Sequence, residues 1–272
     1  MPLTAALKCP RGSGRSAPRF HCIAFSGAKC HQDVTSAFEA LRAIVSFVNF
    51  SPPKWIAALY LILAVIGGGL PASAQRGGTN HLLFSEDFKR GLAGRWEQLR
   101  FGKQTDYSIC REDTTKCLKA VADKTCSALM TKVDIKPPES LIARWRWKID
   151  RIPSNSTDHV ASSFDHAARV IIAFDTFIGP PRTLNYVWAN REKAGTAFSH
   201  PLTGRAQMLA LESGEQRAGE WISEERDVTA DWHQLFGDKA MPRIVAIGVI
   251  TDSENTGTRV TGYYANIQLL AK

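Results

Sequence analysis

From residue 80 to the C-terminus, apolar and polar positions alternate with the period of a strand far more often than with that of a helix. "HLLFSEDF" opens apolar and turns acidic. "TDYSIC" and "CLKAVA" alternate on either side of the polar segment "REDTTK", which predicts a hairpin. "SALMTKVDI" predicts a further strand, closed by Pro137 and Pro138. "RVIIAFD" (169–175) is a short, almost continuous apolar run, as expected of a central strand. "LNYVWAN" (184–190) alternates, with Leu184, Tyr186 and Trp188 on one side. "AQMLALESG" (206–214), "RIVAIGVITD" (243–252) and "TGYYANIQLLAK" complete the set. Only "DVTADWHQLFG" (227–237) reads as a helix, with Asp227 or Thr229 as its N-cap and Gly237 after it. Ten or so closely spaced strands and one short helix predict a single all-β domain over residues 80–272, a sandwich or a barrel.

One strand raises a sharper question. In "LIARWRWKID" (141–150), Leu141, Ala143, Trp145, Trp147 and Ile149 share one face, and Arg144, Arg146 and Lys148 share the other. Two indoles bury far more apolar area than three cationic stems, so the tryptophan face is expected in the core. The cations then lie outside. In "RVIIAFD" the corresponding core set is Val170, Ile172 and Phe174, and Arg169, Ile171, Ala173 and Asp175 share the other face. If the two strands belong to one sheet, Arg144, Arg146, Arg169 and Asp175 form one polar surface.

The front of the chain has another character. Lys54, an apolar run from Trp55 to Leu70 and the Ala72-Ser73-Ala74 site make a secretory signal peptide over 54–74, with cleavage expected after Ala74. The run is too short and too glycine-rich to be preferred as a retained span. It begins some fifty residues in, so residues 1–53 are expected to be a mis-assigned or disordered extension, with translation starting between Val34 and Val48. The chain carries net charge +8. Residues 1–74 hold seven Lys or Arg and two Asp or Glu, which leaves 27 basic and 24 acidic groups in the exported part. That balance makes nucleic acid an unexpected partner. His21, Cys22, Cys30 and His31 fit no standard zinc spacing. The remaining cysteines are Cys110, Cys117 and Cys126. The first two flank the hairpin turn, and in an oxidising compartment they are the expected disulfide.

The stretches "LIARWRWKIDRIP", "FDHAARVIIAFD", "LNYVWAN", "ALESG", "GEWISEERDVTADWHQLFG", "GVITDSENTG" and "GYYANIQLL" resemble a bacterial family known only as domain of unknown function 3047, over most of residues 82–271. The resemblance implies a fold and no activity. "LLFSEDFKRGLAGRW" and "GYYANIQLL" are similar to the first and last strands of jelly-roll carbohydrate-binding modules. That similarity implies a jelly-roll-type antiparallel β-sandwich. It also implies a structural calcium between the two ends, for which Glu86 and Asp87 fit one half, and Asn266 stands where an acid is usual.

Candidate chemistry is sparse. Asp165, His166 and Arg169 in "FDHAAR" fit the mouth of a polar-ligand or catalytic site, or an internal Asp–Arg pair tying a loop to a strand, which is the preferred reading. Asp252, Glu254 and Asn255 in "TDSENTG" resemble part of a calcium loop, and equally an ordinary turn. Glu224, Glu225 and Asp227 offer paired acids for glycoside hydrolysis, or merely the acids of a helix start. Neither G-x-S-x-G nor H-E-x-x-H is present.

These features together point to an exported, non-catalytic binding protein of the cell envelope, periplasmic or secreted. Its expected partner is a carbohydrate or other polar polymer, and its expected ligand face carries Arg144, Arg146, Arg169, Asp175 and Asp165. No cofactor is expected, calcium at Glu86, Asp87, Asp252, Glu254 and Asn266 being the alternative. A glycan hydrolase or lyase using Asp165, His166 and Arg169 is the rival function, and a structural envelope protein the third. The sequence leaves the oligomeric state open.

Overall fold

A computed structural model of the chain describes residues 81–176, 179–237 and 240–272. The expected signal peptide, the residues before it and the Cys22/Cys30 region lie outside the described residues. Among those described, no helix is long and apolar enough to cross a membrane.

The elements run β1 (His81–Glu86), β2 (Glu97–Arg100), β3 (Asp106–Glu112), β4 (Thr115–Asp123), β5 (Ser127–Ile135), β6 (Leu141–Ile149), a 3₁₀ turn (Ala161–Ser163), β7 (Arg169–Phe174), β8 (Arg182–Ala189), β9 (Ala197–His200), β10 (Thr203–Ser213), β11 (Ile222–Asp227), α1 (Val228–Phe236), β12 (Ile244–Ile250) and β13 (Arg259–Ala271). They form two stacked sheets. Sheet A has the order β11-β6-β13-β4-β3, with β1 also on β13. Sheet B has the order β2-β5-β12-β7-β8-β10-β9. The fold is a jelly-roll-type β-sandwich with one short helix. Among the described strands every pairing is antiparallel except β8 with β10, which run parallel. The first and last strands pair, as the resemblance implied: His81 lies opposite Ala271 and Glu86 opposite Ile267. β4 and β1 share one edge of β13 in succession, at 259–264 and 267–271. Asn266, exposed and with φ 51°, forms the bulge between them.

The predicted strands all form. β2, β9 and β11 were not foreseen, and each is an edge strand. An edge strand buries little, so its pattern is weak. The hairpin turn is tighter than the sequence suggested: the strands run through Glu112 and Thr115, and Asp113 turns the chain with φ 52°.

The expected faces hold. Trp145 and Trp147 are buried, at 2% and 0% exposure. From sheet A they reach sheet B, where Trp145 packs on Tyr186 (4.9 Å between centroids) and Trp147 on Trp188 (5.9 Å). Val170, Ile172, Phe174 and Leu184 join the same core. Truncating one such indole would cost about 3–5 kcal/mol. The helix starts where Asp227 accepts the N–H of Ala230 (3.0 Å) and stops at Gly237, φ 84°. It closes one end of the core, laying Trp232 on Phe174 (4.6 Å).

Near the other end the sheets are tied by hydrogen bonds. The Tyr264 hydroxyl donates to the carbonyl of Ile250 (2.7 Å) and lies 2.8 Å from the Thr251 hydroxyl. Gly262 sits beneath this tie. A β-carbon there would stand 2.5 Å from the Ala167 carbonyl and 2.6 Å from Thr251 Oγ1. Gly262→Ala is therefore expected to lower stability by about 1–3 kcal/mol, since rigid neighbours cannot yield without strain. Denaturant unfolding of the two proteins measures this, and an unchanged midpoint contradicts it.

Candidate functional site

The outer faces of the two sheets differ in kind. On sheet A the cations of β6 find partners beside them. Arg144 pairs with Glu225 (2.6 Å) across β11. Lys148 pairs with Glu112 (2.7 Å) and lies over the Tyr263 ring (4.5 Å). Arg146 donates to the Thr115 hydroxyl (3.3 Å) and stacks over Trp221 (5.1 Å). The row is a self-satisfied surface.

Arg169 and Asp175 do not share it. β7 belongs to sheet B, so their outward face is on the far side of the sandwich. The shared polar surface expected from alternation is thus split in two. Alternation gives inward or outward, but not which sheet. Asp175 is exposed at the end of β7. Arg169 is 4% exposed and forms an ion pair with Asp252, itself 2% exposed. Burial opposes the charge on Arg169, but Asp252 beside it outweighs this and raises its pKa.

Asp165 and His166 are fully buried struts beneath loops. Asp165 accepts N–H groups from Asn255 (3.3 Å) and Thr256 (2.7 Å). His166 Nε2 lies 3.1 Å from Asp158. The proposed catalytic trio of Asp165, His166 and Arg169 therefore does not converge on an open cleft. The loop that carries it is buried, and its polar groups are consumed in holding it. The internal pair is the one anticipated in kind, but Arg169 takes Asp252 and not Asp165.

Sheet B's outer face is covered in part by this loop and by the β9–β10 hairpin, and a cavity of about 120 Å³ remains between them. Its lining includes Arg169 and Ile171 of β7, Thr183 and Asn185 of β8, and Ile250 of β12. Phe164 after the 3₁₀ turn meets His200 of β9 edge to face, at 4.6 Å. Leu202, Arg205, Pro180 and Pro181 form further wall, as do Cys126, Asp252, Glu254 and Asn255. Of three large apolar side chains left exposed among the described residues, Val160 and Leu202 flank this region, Leu202 as part of the lining.

The electrostatics are unusual for a surface groove. Glu254 is exposed at the rim, yet desolvation on its inner side, then the charges of Asp252 and Asp165, push its carboxyl well up. Burial, then Glu254 and Asp252, push the Cys126 thiol well up. Burial, then the charges of Arg169 and His166, push His200 down to about 3, so it is neutral at pH 7. One η-nitrogen of Arg169 is engaged by Asp252, while its buried Nε has no partner. Groups with perturbed pKa values converging on a cavity are a mark of functional sites.

Metal binding fits less well. Among the described residues, Cys126, Asp252 and Glu254 bring their ligand atoms within 4.8 Å of one another. One is a thiol and one is already paired with Arg169, whereas calcium takes six to eight oxygens. At the other candidate, Glu86 accepts N–H groups from Phe88 (2.6 Å) and Trp96 (2.9 Å) and pairs with Arg95 (3.3 Å). Asp87 pairs with Lys89 (3.0 Å). The acids of "GEWISEERD" diverge: Glu225 faces Arg144 outside, while Glu224 accepts the Trp147 indole N–H (3.1 Å). Burial, then the charge of Glu212, push Glu224 up to about 7. Cys110 and Cys117 stand opposite each other in the hairpin, with sulfurs 3.0 Å apart and unbonded.

A model of the family described as "Protein of unknown function (DUF3047)" matches residues 94–268. The chain belongs to this family. No curated protein matches this DUF3047 member. Among solved structures with some likeness to it is cellulose induced protein Cip1, at 12% identity over 68% of this chain and 96% of that one, TM-score 0.40. Another is the family 11 carbohydrate-binding module of the cellulosomal cellulase Lic26A-Cel5E of Clostridium thermocellum, at 11% over 71% and 95%, TM-score 0.38. A third is the K3 cleaved adhesin domain of Lys-gingipain from Porphyromonas gingivalis, at 9% over 71% and 100%, TM-score 0.37.

Sequence reasoning missed Asp158, whose role no local pattern announces. Buried, it accepts backbone N–H groups from Asn190 (3.0 Å), Arg191 (2.8 Å) and Glu192 (3.0 Å), besides contacting His166. Burial disfavours its charge, but the His166 contact and these N–H groups prevail and hold its carboxyl far below the ordinary range. A depressed carboxylate stabilises the fold above its unfolded pKa of about 4, and that stabilisation is lost as pH falls below it. Asp158→Asn is expected to lower the unfolding midpoint at pH 7, with the gap to wild type narrowing from pH 4 downward. Thermal unfolding across pH 2–7 checks this, and a gap that widens in acid refutes it.

Proposed function

We propose that the protein is an exported, non-catalytic binding protein of the bacterial cell envelope that receives a sugar ring of an envelope glycan in the sheet B cavity. The observation that carries the reading is the composition of the lining. Phe164, Ile171, Ile250 and Leu202 offer apolar surface, and Asn185, Glu254 and Asn255 offer hydrogen-bonding groups. A pyranose ring has the same division, apolar on its C–H faces and polar around its edge.

Catalysis in the cavity is less well supported. Hydrolysis of a glycosidic bond uses an acid and a free carboxylate. Glu254 is suited to the first role, but the oxygens of Asp252 are taken up by Arg169 and by the N–H of His166 (2.8 Å). Binding therefore fits better than turnover.

Isothermal titration with glycan fragments from the bacterial envelope tests the site. Glu254→Ala is expected to weaken binding roughly 3- to 10-fold, about the worth of one hydrogen bond, with unfolding unchanged. Arg146→Ala, on the other sheet, should leave affinity alone. The opposite result would move the site to the sheet A face.

Export predicts the redox state of the hairpin. In the reduced form, burial, then Cys110 beside it, push the Cys117 thiol up to about 12, so it is a poor nucleophile. In an oxidising compartment we propose a Cys110–Cys117 disulfide, contributing at most ~2 kcal/mol because the loop it closes is small. Mass spectrometry of unreduced peptides from exported protein should find that pair. Detection of Cys126 bridged to either partner would overturn it, and an exported chain beginning before residue 60 would overturn cleavage after Ala74.

A further inference from the structure

We infer that the ligand of the sheet B cavity carries one negative charge and that Arg205 reads it, so that the preferred sugar is an acidic one of the uronate class. The inference rests on the cavity being the ligand site and deepens that reading. The cavity holds two guanidinium groups and two carboxyl groups, and they are not equivalent. Arg169 is committed to Asp252 in a buried ion pair. Arg205 is committed to no carboxylate among the described residues. Its Nη1 donates to the carbonyl of Pro180 (2.9 Å), a neutral acceptor. Its Nη2 lies 3.0 Å from where a β-carbon of Gly179 would stand, so the absent side chain there leaves the guanidinium its place.

An arginine held in this way is fixed without being neutralised. It keeps donors in hand for a bidentate partner, and an arriving anion displaces no protein carboxylate. Part of the ordering cost is met before the ligand arrives. The remaining titratable groups leave this charge standing. His200 is neutral at pH 7, and the Glu254 carboxyl is held toward its protonated form. Arg169 is offset by Asp252, whereas the Arg205 guanidinium meets the neutral Pro180 carbonyl and keeps its charge for a ligand. An acidic ring would set its carboxylate on Arg205, an apolar face against Phe164 and Ile171, and its hydroxyls toward Asn185 and Asn255.

The full chain is titrated, by ligand-observed NMR, with methyl glucuronoside, methyl glucoside and benzoate at pH 7. Glucuronoside is expected to bind about tenfold tighter than glucoside, as for one charge-assisted hydrogen-bonded contact. Raised salt should shrink the preference. Arg205→Gln, checked for an unchanged unfolding midpoint, should bring the two sugars to parity, and Arg205→Lys should keep part of the difference. Equal binding of the two sugars to wild type overturns the charge inference and leaves the sugar reading intact. Benzoate binding that depends on Arg205, with neither sugar bound, overturns the sugar reading and upholds the role of Arg205. Failure of all three ligands overturns both. Because the first comparison uses wild type, a variant that fails to fold does not remove the test.

Discussion

The aromatic seam between β6 and β8 is the contact on which the rest of the architecture depends. Trp145 on Tyr186 and Trp147 on Trp188 join the two sheets through the middle of the core. Strand side chains alternate strictly, so fixing these four also fixes what their neighbours do. Arg144, Arg146 and Lys148 are forced onto the outside of sheet A. Asn185 and Val187 are forced onto the outside of sheet B, with Arg169 and Ile171 beside them on β7. A slip of one residue in β6 would place guanidinium groups in the core, where unpaired charge is too costly to remain. The floor of the cavity is thus a consequence of interior packing.

The two outer faces meet the demands of polar burial in different ways. Sheet A stays open, and the cations of β6 are met on that face: Arg144 by Glu225 of the adjacent β11, Lys148 by Glu112 of β3, and Arg146 by the Thr115 hydroxyl and the Trp221 ring. Sheet B is roofed by chain, and a roof has backbone groups that must find partners. Three buried acids supply them. Asp158 gathers the N–H groups of 190–192, Asp165 those of 255 and 256, and Asp252 that of His166. Removing one partner from such an arrangement leaves a buried charge uncompensated, at a cost of about 3–5 kcal/mol. The same bonds fix the loops that wall the cavity.

Polarity inside the cavity derives from that roof. Asp252 serves the loop through one oxygen and Arg169 through the other, so the acid that looks most catalytic is structural. Glu254, two residues on, is crowded by it and kept toward its neutral form. Arg205 comes from β10, near the edge of sheet B, and stays outside this exchange.

The sequence by itself determined the class of fold, the strands with a buried face, the helix with both its caps, and the sense in which each strand faces. Those are local properties, set by period, side-chain size and capping chemistry. It did not reveal β2, β9 and β11, because an edge strand such as "ISEERD" has little to bury and so little pattern to read. Nor did it place β6 and β7 in different sheets, since alternation separates inside from outside without saying whose outside. That single decision moved Arg169 away from Arg144 and Arg146 and toward Asp252, which stands 83 positions along the chain. The cavity was likewise beyond the sequence. Its lining comes from residues between Phe101 and Asn255, drawn together only when long-range strand pairing lays β7, β8, β10 and β12 side by side and the loops close over them.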